Sequence, residues 1–254
     1  MSHRKPLIAA NWKMYKTAAE ATTFAQTFAP LVKGHTRDEI VLCPPFLCIP
    51  SVVEAIPGTD IHVGGQNMHW QDDGAFTGEI SAPMLRAAGC TFVILGHYER
   101  RQFFGETDET VNQKLHTALK HKLAPIVCVG ELLAEREAGK TEEVLLRQTS
   151  RALANLTPEA ARTIVIAYEP VWAIGTGKTA TAEMAAEAHL VIRGQVAHAL
   201  GHEIAANMRI LYGGSVKPEN ASTLLNQPEI DGALVGGASL DPQSFAKIVN
   251  YTQS

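Results

Sequence analysis

The chain has 254 residues, 46% of them hydrophobic and 19% charged, with a formal net charge of −4. That apolar content supplies a large core and excludes a disordered chain, while the slightly acidic balance offers no basic face to nucleic acid or an anionic membrane. The apolar runs fall far short of the roughly 18 residues of a membrane helix. The first run breaks at Asn11, before any signal-peptide core. The four cysteines, Cys43, Cys48, Cys90 and Cys128, form no CxxC pair and have no zinc-finger spacing; reduced, buried thiols in a cytoplasmic protein are expected.

Eight short apolar runs without strict alternation predict strands buried on both faces. The first starts at Pro6 (PLIAAN), and a helical segment follows over Thr17–Val32, opened by a Thr17/Glu20 capping box and expected to stop at Pro30. The second, third and fourth start at Glu39 (EIVLC), Asp60 (DIHVG) and Thr91 (TFVILG). Helical spacing of Val111, Leu115, Ala118 and Leu119 then predicts a helix over Asp108–His121. The fifth run, from Ala124 (APIVCVG), precedes a helix over Thr141–Leu156, and the sixth, from Thr163 (TIVIAYE), precedes one over Thr179–Leu200. The seventh and eighth start at Met208 (MRILYG) and Asp231 (DGALVG). Asp241-Pro242 opens the last helix, with Phe245, Ile248 and Val249 on one face.

Strand-to-strand intervals of about 20 to 46 residues bracket the 30 or so of one βαβ unit. The chain is therefore α/β with a parallel sheet and right-handed crossovers. Eight units in about 250 residues is the count of a (β/α)8 TIM barrel, eight parallel strands ringed by helices. A doubly wound open sheet is the other solution. No Gly/Ser- or Pro-rich linker divides the chain, so residues 1–254 are expected to form a single domain.

Both architectures bind ligands beyond the C-terminal ends of their strands. There the sequence places Asn11 and Lys13 after the first strand, His97 after the fourth, Glu169 after the sixth, and Gly213-Gly214-Ser215 and Gly236-Gly237 after the seventh and eighth. Each has an ordinary explanation alone: a solvated lysine, a structural histidine, a capping carboxylate, tight glycine turns. Together they converge only in a barrel. A carboxylate at the end of an apolar strand is a strengthened base. A histidine at a helix start stays neutral and donates to a carbonyl, and a lysine meets developing negative charge. The glycine turns offer free N–H groups to a phosphate. This set predicts proton abstraction beside a carbonyl of a small phosphorylated substrate. No ligand spacing argues for a metal. Gly175-Thr176-Gly177-Lys178-Thr179 is not a P-loop, because Trp172 stands where its first glycine belongs. As a dinucleotide fingerprint it lies too far from its strand.

The chain resembles the triosephosphate isomerase family along its whole length. The segments that carry the resemblance are Ala9–Met14, Asn67 with Gly74–Glu79, Gly96-His97, Tyr168–Lys178 (YEPVWAIGTGK), Tyr212–Val216 and Leu234–Leu240. The resemblance implies a cofactor-independent isomerase of triose phosphates, without metal, acting in glycolysis and gluconeogenesis. By the same resemblance Glu169 is the base, His97 the neutral electrophile, and Lys13, with Asn11 beside it, the group that holds substrate and enediolate. Gly175, Ser215, Gly236 and Gly237 match phosphate-binding positions, and Pro170–Lys178 matches the closing lid. The segment from Gly65 to Glu79 carries Met68, Trp70 and Phe76 without strand or helix pattern. The resemblance implies that this loop enters a second subunit, with Thr77 near the partner copy's Asn11 and Lys13, giving a homodimer. One position departs: the family usually has serine after the catalytic histidine, and this chain has Tyr98. A differently bonded resting pose of Glu169 is expected, without loss of its role. Leu132, where threonine is frequent, is expected to be benign. The alternatives are a non-catalytic phosphosugar-binding or moonlighting barrel, and a different phosphate-binding barrel enzyme such as an epimerase.

Overall fold

The computed structural model describes residues 4–174 and 180–253. Its eight strands are β1 Leu7–Asn11, β2 Glu39–Cys43, β3 Ile61–Gly65, β4 Phe92–Leu95, β5 Ala124–Val129, β6 Val165–Tyr168, β7 Arg209–Tyr212 and β8 Gly232–Val235. Seven lie within the apolar runs and β3 runs one residue past its own, to Gly65; all pair in parallel in chain order. The open-sheet alternative falls on one ladder: β8 returns to β1, with Leu7 opposite Gly232 and Ala10 opposite Val235. The sheet is a closed barrel.

Closure explains why the runs do not alternate. Inward positions such as Leu7, Ala9, Ile126, Cys128, Val165 and Ala167 pack as one buried cluster inside the barrel. Their neighbours Ile8, Ala10, Val127, Val129 and Ile166 belong to a second, larger cluster. That outer layer is covered by α1 Ala18–Leu31, α2 Ile49–Ala55, α3 Ala82–Ala87, α4 Tyr98–Phe103, α5 Asp108–Lys120, α6 Leu133–Glu137, α7 Thr141–Ala152, α8 Ala182–Leu200, α9 His202–Asn207, α10 Pro218–Leu225 and α11 Pro242–Val249. Apolar residues on both faces leave no polar period to read. At the N-terminal floor the inward Glu39 pairs with Arg209, and His62 Nε2 lies 3.2 Å from the same carboxylate. Gly232 has φ +136°, and a Cβ on it would fall 2.0 Å from the Leu7 carbonyl oxygen. Only glycine lets β8 approach β1 closely enough to close the sheet.

Helix ends follow local chemistry. Thr17 caps α1 through the expected box, with its N–H donating to Glu20 Oε2 at 2.7 Å. Pro30 sits within the last turn of α1, which ends one residue later at Leu31. Thr181 caps α8 and Asp241 caps α11, whose first residue is Pro242. The segment predicted over Thr141–Leu156 stops at Ala152, and Asn155 turns the chain with φ +62°. The segment predicted from Thr179 begins at Ala182; Thr179 itself lies outside the described residues. The shorter α2, α3, α4, α6, α9 and α10 carry too few turns for a readable period. The four cysteines are free and buried. Among the described residues no helix is long and apolar enough to cross a membrane.

His189, on α8, is fully buried against the outer face of β6. Its Nδ1 lies 2.9 Å from the Glu229 carbonyl, and its ring meets Tyr168 edge-on. Burial lowers its pKa from 6.5 to about 4, opposed by the Glu229 bond and reinforced by Arg193. With the folded value below the unfolded one, the neutral ring contributes fully above pH 6.5. That stability is lost as pH falls toward 4, by about 3 kcal/mol in all. Urea unfolding followed between pH 7 and 4 should show this fall, and His189→Gln should flatten it. Equal slopes in the two proteins would exclude His189 as the cause.

Candidate active site

Asn11 closes β1, and the chain then turns sharply. Lys13 adopts φ +52°, a conformation that an ordinary side chain reaches only when held there. Its N–H donates to Asn11 Oδ1 at 3.0 Å, and Gln66 Nε2 donates to its carbonyl at 2.9 Å. The ammonium so aimed pairs with Glu99 Oε1 at 2.7 Å. Burial alone would lower the Lys13 pKa. The Glu99 hydrogen bond, the neighbouring Tyr98 phenol and the charges of Glu99 and Glu169 outweigh it and hold the value above that of ordinary lysine.

His97 follows β4 and caps α4, its Nδ1 accepting the Glu99 N–H at 3.3 Å. Its Nε2 lies 2.9 Å from Glu169 Oε1. The Glu99 carboxylate is farther, 3.4 Å from Nδ1. The shorter contact puts the ring proton on Nε2, donating to Glu169. The turn that carries His97 is braced from below: Arg101 Nε donates to the Gly96 carbonyl at 2.8 Å, and Gly96 N–H donates to the buried Glu106 carboxylate at 3.1 Å. Lys114 pairs with Glu106 and reaches Asn67 Oδ1 at 2.9 Å, tying this turn to the loop after β3.

Glu169 follows β6, and only 2% of its surface is exposed. Its N–H donates to the Val129 carbonyl at 2.8 Å. A Cβ on Gly130 would lie 1.7 Å from the Glu169 carbonyl oxygen, so no other residue fits that turn. Oε2 accepts the Tyr98 N–H at 2.9 Å. The carboxylate therefore still engages position 98, through the main-chain amide, while the phenol turns away and donates to Glu99 Oε1 at 3.3 Å. Beside it the Cys128 thiol is held well above its ordinary pKa by burial and then by the Glu169 charge, so it stays protonated.

These groups open into one cavity of about 750 Å³. It brings together Asn11, Lys13, His97, Glu169, Ser215, Gly236 and Gly237; Gly175 lies outside the described residues. Gly236 opens the turn Gly237–Ser239, and the first amides of such a turn have no partner within it. Lys217 and Lys247 also line this end, with Glu219 and Asp241 beside them. Among the described residues no group of three or more His, Cys, Asp or Glu side chains could hold a metal ion.

A family model described as triosephosphate isomerase matches residues 6–252. The chain belongs to the triosephosphate isomerase family. A triosephosphate isomerase of Solibacter usitatus is 60% identical over 248 residues, covering 98% of this chain and 100% of the relative. One of Moorella thermoacetica is 58% identical over 250 residues, and one of Citrifermentans bemidjiense 53% over 250, each with the same coverage.

In this triosephosphate isomerase family member, the segment matched to the lid is described as far as Ile174, and Gly175–Lys178 lie outside. Trp172 Nε1, Tyr168 Oη and Arg136 Nη1 all donate to Glu131 Oε1, at 2.9, 3.1 and 3.0 Å. Leu132 is partly exposed, and its N–H donates to Glu135 Oε2 at 2.8 Å, so α6 is capped without a hydroxyl at 132. Sequence reasoning assigned no role to Glu131 or Glu99, although both stand beside motif residues. Nothing in their spacing marks them as acceptors of the Trp172 and Lys13 donors. With these three donors and the Thr141 hydroxyl, at 3.5 Å, on one oxygen, Glu131→Gln should lower the unfolding free energy by about 2 kcal/mol in urea titrations. A loss below ~0.5 kcal/mol would mean that the carboxylate does not hold this segment.

Proposed function

We propose that this chain catalyses the reversible isomerisation of dihydroxyacetone phosphate and glyceraldehyde 3-phosphate, without a cofactor, as one step of glycolysis and gluconeogenesis in the cytoplasm. One observation carries it: Lys13, His97 and Glu169 face the same cavity as the Gly236–Gly237 turn, in a member of the triosephosphate isomerase family.

The resting contacts define what substrate must do. Glu169 rests on His97 Nε2 and on the Tyr98 amide. Both bonds must be released before the carboxylate can face a substrate carbon and Nε2–H can face its oxygen. Glu169 then removes a proton from the carbon beside the carbonyl. The C–H pair becomes the new C=C bond, and the carbonyl π pair moves onto oxygen as an enediolate. His97 Nε2 gives its proton to that oxygen and takes the proton of the neighbouring hydroxyl, so the charge moves to the other oxygen, whose electron pair forms the new C=O bond in the last step. Lys13 faces the developing charge. Returning the proton from Glu169 to the neighbouring carbon completes the isomerisation. The whole chain acts as one barrel domain, with Asn11 orienting Lys13 and with Ser215 and the glycine turns holding phosphate.

A coupled assay with both triose phosphates should find activity in each direction. Glu169→Asp retracts the carboxylate by one methylene, and a misplacement on the order of 1 Å costs about 10²-fold in turnover. Unchanged turnover in that variant would mean that Glu169 is not the base.

The partner we propose is a second copy of the chain. Met14 (94%), Leu47 (84%), Phe103 (66%) and Phe104 (67%) are apolar yet exposed. They accompany a second cavity of about 390 Å³ lined by Lys13, Met14, Phe46, Glu99 and Phe104. In the loop after β3, Met68 is buried in its own chain, whereas the tip Asp73–Glu79 with Phe76 is exposed. Such a tip and such a groove suit an exchange between two copies, with Thr77 of each approaching the other's Lys13. Sedimentation should give a dimer, and Leu47→Glu should weaken it and lower activity. A concentration-independent monomer at full activity would remove the interface.

A further inference from the structure

We propose that Tyr98 is a positioning residue that fixes the Lys13 ammonium through its ring face and its hydroxyl; this rests on the isomerase function proposed above. A small residue at this position could make neither contact. Lys13 Nζ lies 5.3 Å from the centroid of the Tyr98 ring. The Tyr98 hydroxyl donates to Glu99 Oε1, the same oxygen that pairs with Lys13 Nζ. The phenol thus touches both members of the pair.

That support has work to do. Lysine carries its charge on a flexible four-carbon stem, and the Lys13 and Glu99 side chains keep 24% and 30% of their surface exposed. A pair so exposed holds weakly on its own. The Tyr98 ring is well anchored for the purpose. It packs on the His97 ring at 4.8 Å between centroids, and its own amide is bound to Glu169. Across the cavity, a Cβ on Gly236 would lie 3.5 Å from Lys13 Cε, so the stem runs between the Gly236 turn and the phenol. Burial holds the phenol pKa above its ordinary value, with Lys13 opposing and Glu99 reinforcing, so the hydroxyl remains a donor. One residue therefore serves two groups: its amide binds the base, and its side chain aims the ammonium.

The test compares the wild type with Tyr98→Ser and Tyr98→Phe in the coupled assay, together with the dissociation constant of inorganic phosphate followed by ³¹P NMR. Losing the ring face and the hydroxyl should raise KM and the phosphate constant on the order of tenfold. The kcat should also fall, about threefold and by less than KM rises, because Lys13 remains but is aimed less well at the developing charge. Tyr98→Phe keeps the ring face and should recover KM to within about threefold of wild type. If Tyr98→Ser does not fold, Tyr98→Leu, which keeps bulk without ring face or hydroxyl, should give the same result. Unchanged KM and phosphate affinity in the Ser or Leu variant would overturn the proposal. So would a loss shared equally by Phe and accompanied by a lower melting temperature. An inactive wild type would refute the isomerase function itself, whereas an active wild type with unresponsive variants would refute only the role of Tyr98.

Discussion

The ladder between β8 and β1 joins the two ends of the fold, and the whole cavity depends on it. Lys13 comes from the first strand and Gly236 from the last, more than two hundred residues apart, yet the lysine stem runs past the glycine turn. In an open sheet these would be opposite edges. Closure also points every strand the same way, so all eight C-terminal ends empty into one mouth. The cost falls on β8, where Gly232 must take a conformation that other residues avoid so that it can lie against the Leu7 carbonyl. The opposite mouth is filled by Glu39 with Arg209 and His62.

Gathering strand ends also buries charge, and an unpaired buried carboxylate costs several kcal/mol. Each one near the cavity is supplied with donors. Glu169 has the Tyr98 amide and His97 Nε2, Glu106 has the Gly96 amide and Lys114, and Glu131 has a tyrosine, a tryptophan and an arginine. These bonds differ in what they can give up. Those of Glu106 lie beneath the β4 turn and brace it permanently. Those of Glu169 face the open cavity, where a substrate oxygen and a substrate C–H can replace them. The same chemistry is structural in one place and exchangeable in the other, and solvent access decides which.

The fold was legible because burial on both faces erases polar alternation from all eight strands at once, and no other pattern in the chain competes with it. Helices with hydroxyl or carboxylate caps were legible for local reasons: Thr17, Thr181 and Asp241 each satisfy an amide of their own first turn. The helix read through Leu156 was too long, because Asn155 turns with a positive φ that apolar spacing does not register. Of the cavity, the residues at strand ends were legible because a barrel must bring them together. Glu99, Glu131, Glu106 and Gln66 were not. Each acts by accepting or donating across 30 or more residues of sequence, or to a main-chain atom, and a residue type alone does not reveal such a partner.

Tyr98 shows the same limit from the other side. Judged by side chain, tyrosine in place of serine removes a small donor beside the base and leaves its resting position open. The main chain at 98 still stands at the first residue of α4, where an amide has no partner within the helix. That amide belongs to the backbone and survives any substitution except proline, so Glu169 is held at 2.9 Å without a side-chain donor from 98. Once the amide holds the carboxylate, the side chain is free to meet a different neighbour. The phenol turns to Glu99 and Lys13, the nearest polar pair in the same mouth. A change that looks disruptive when positions are compared by side chain alone becomes compatible with the site, because the bond it seemed to remove is made by the backbone.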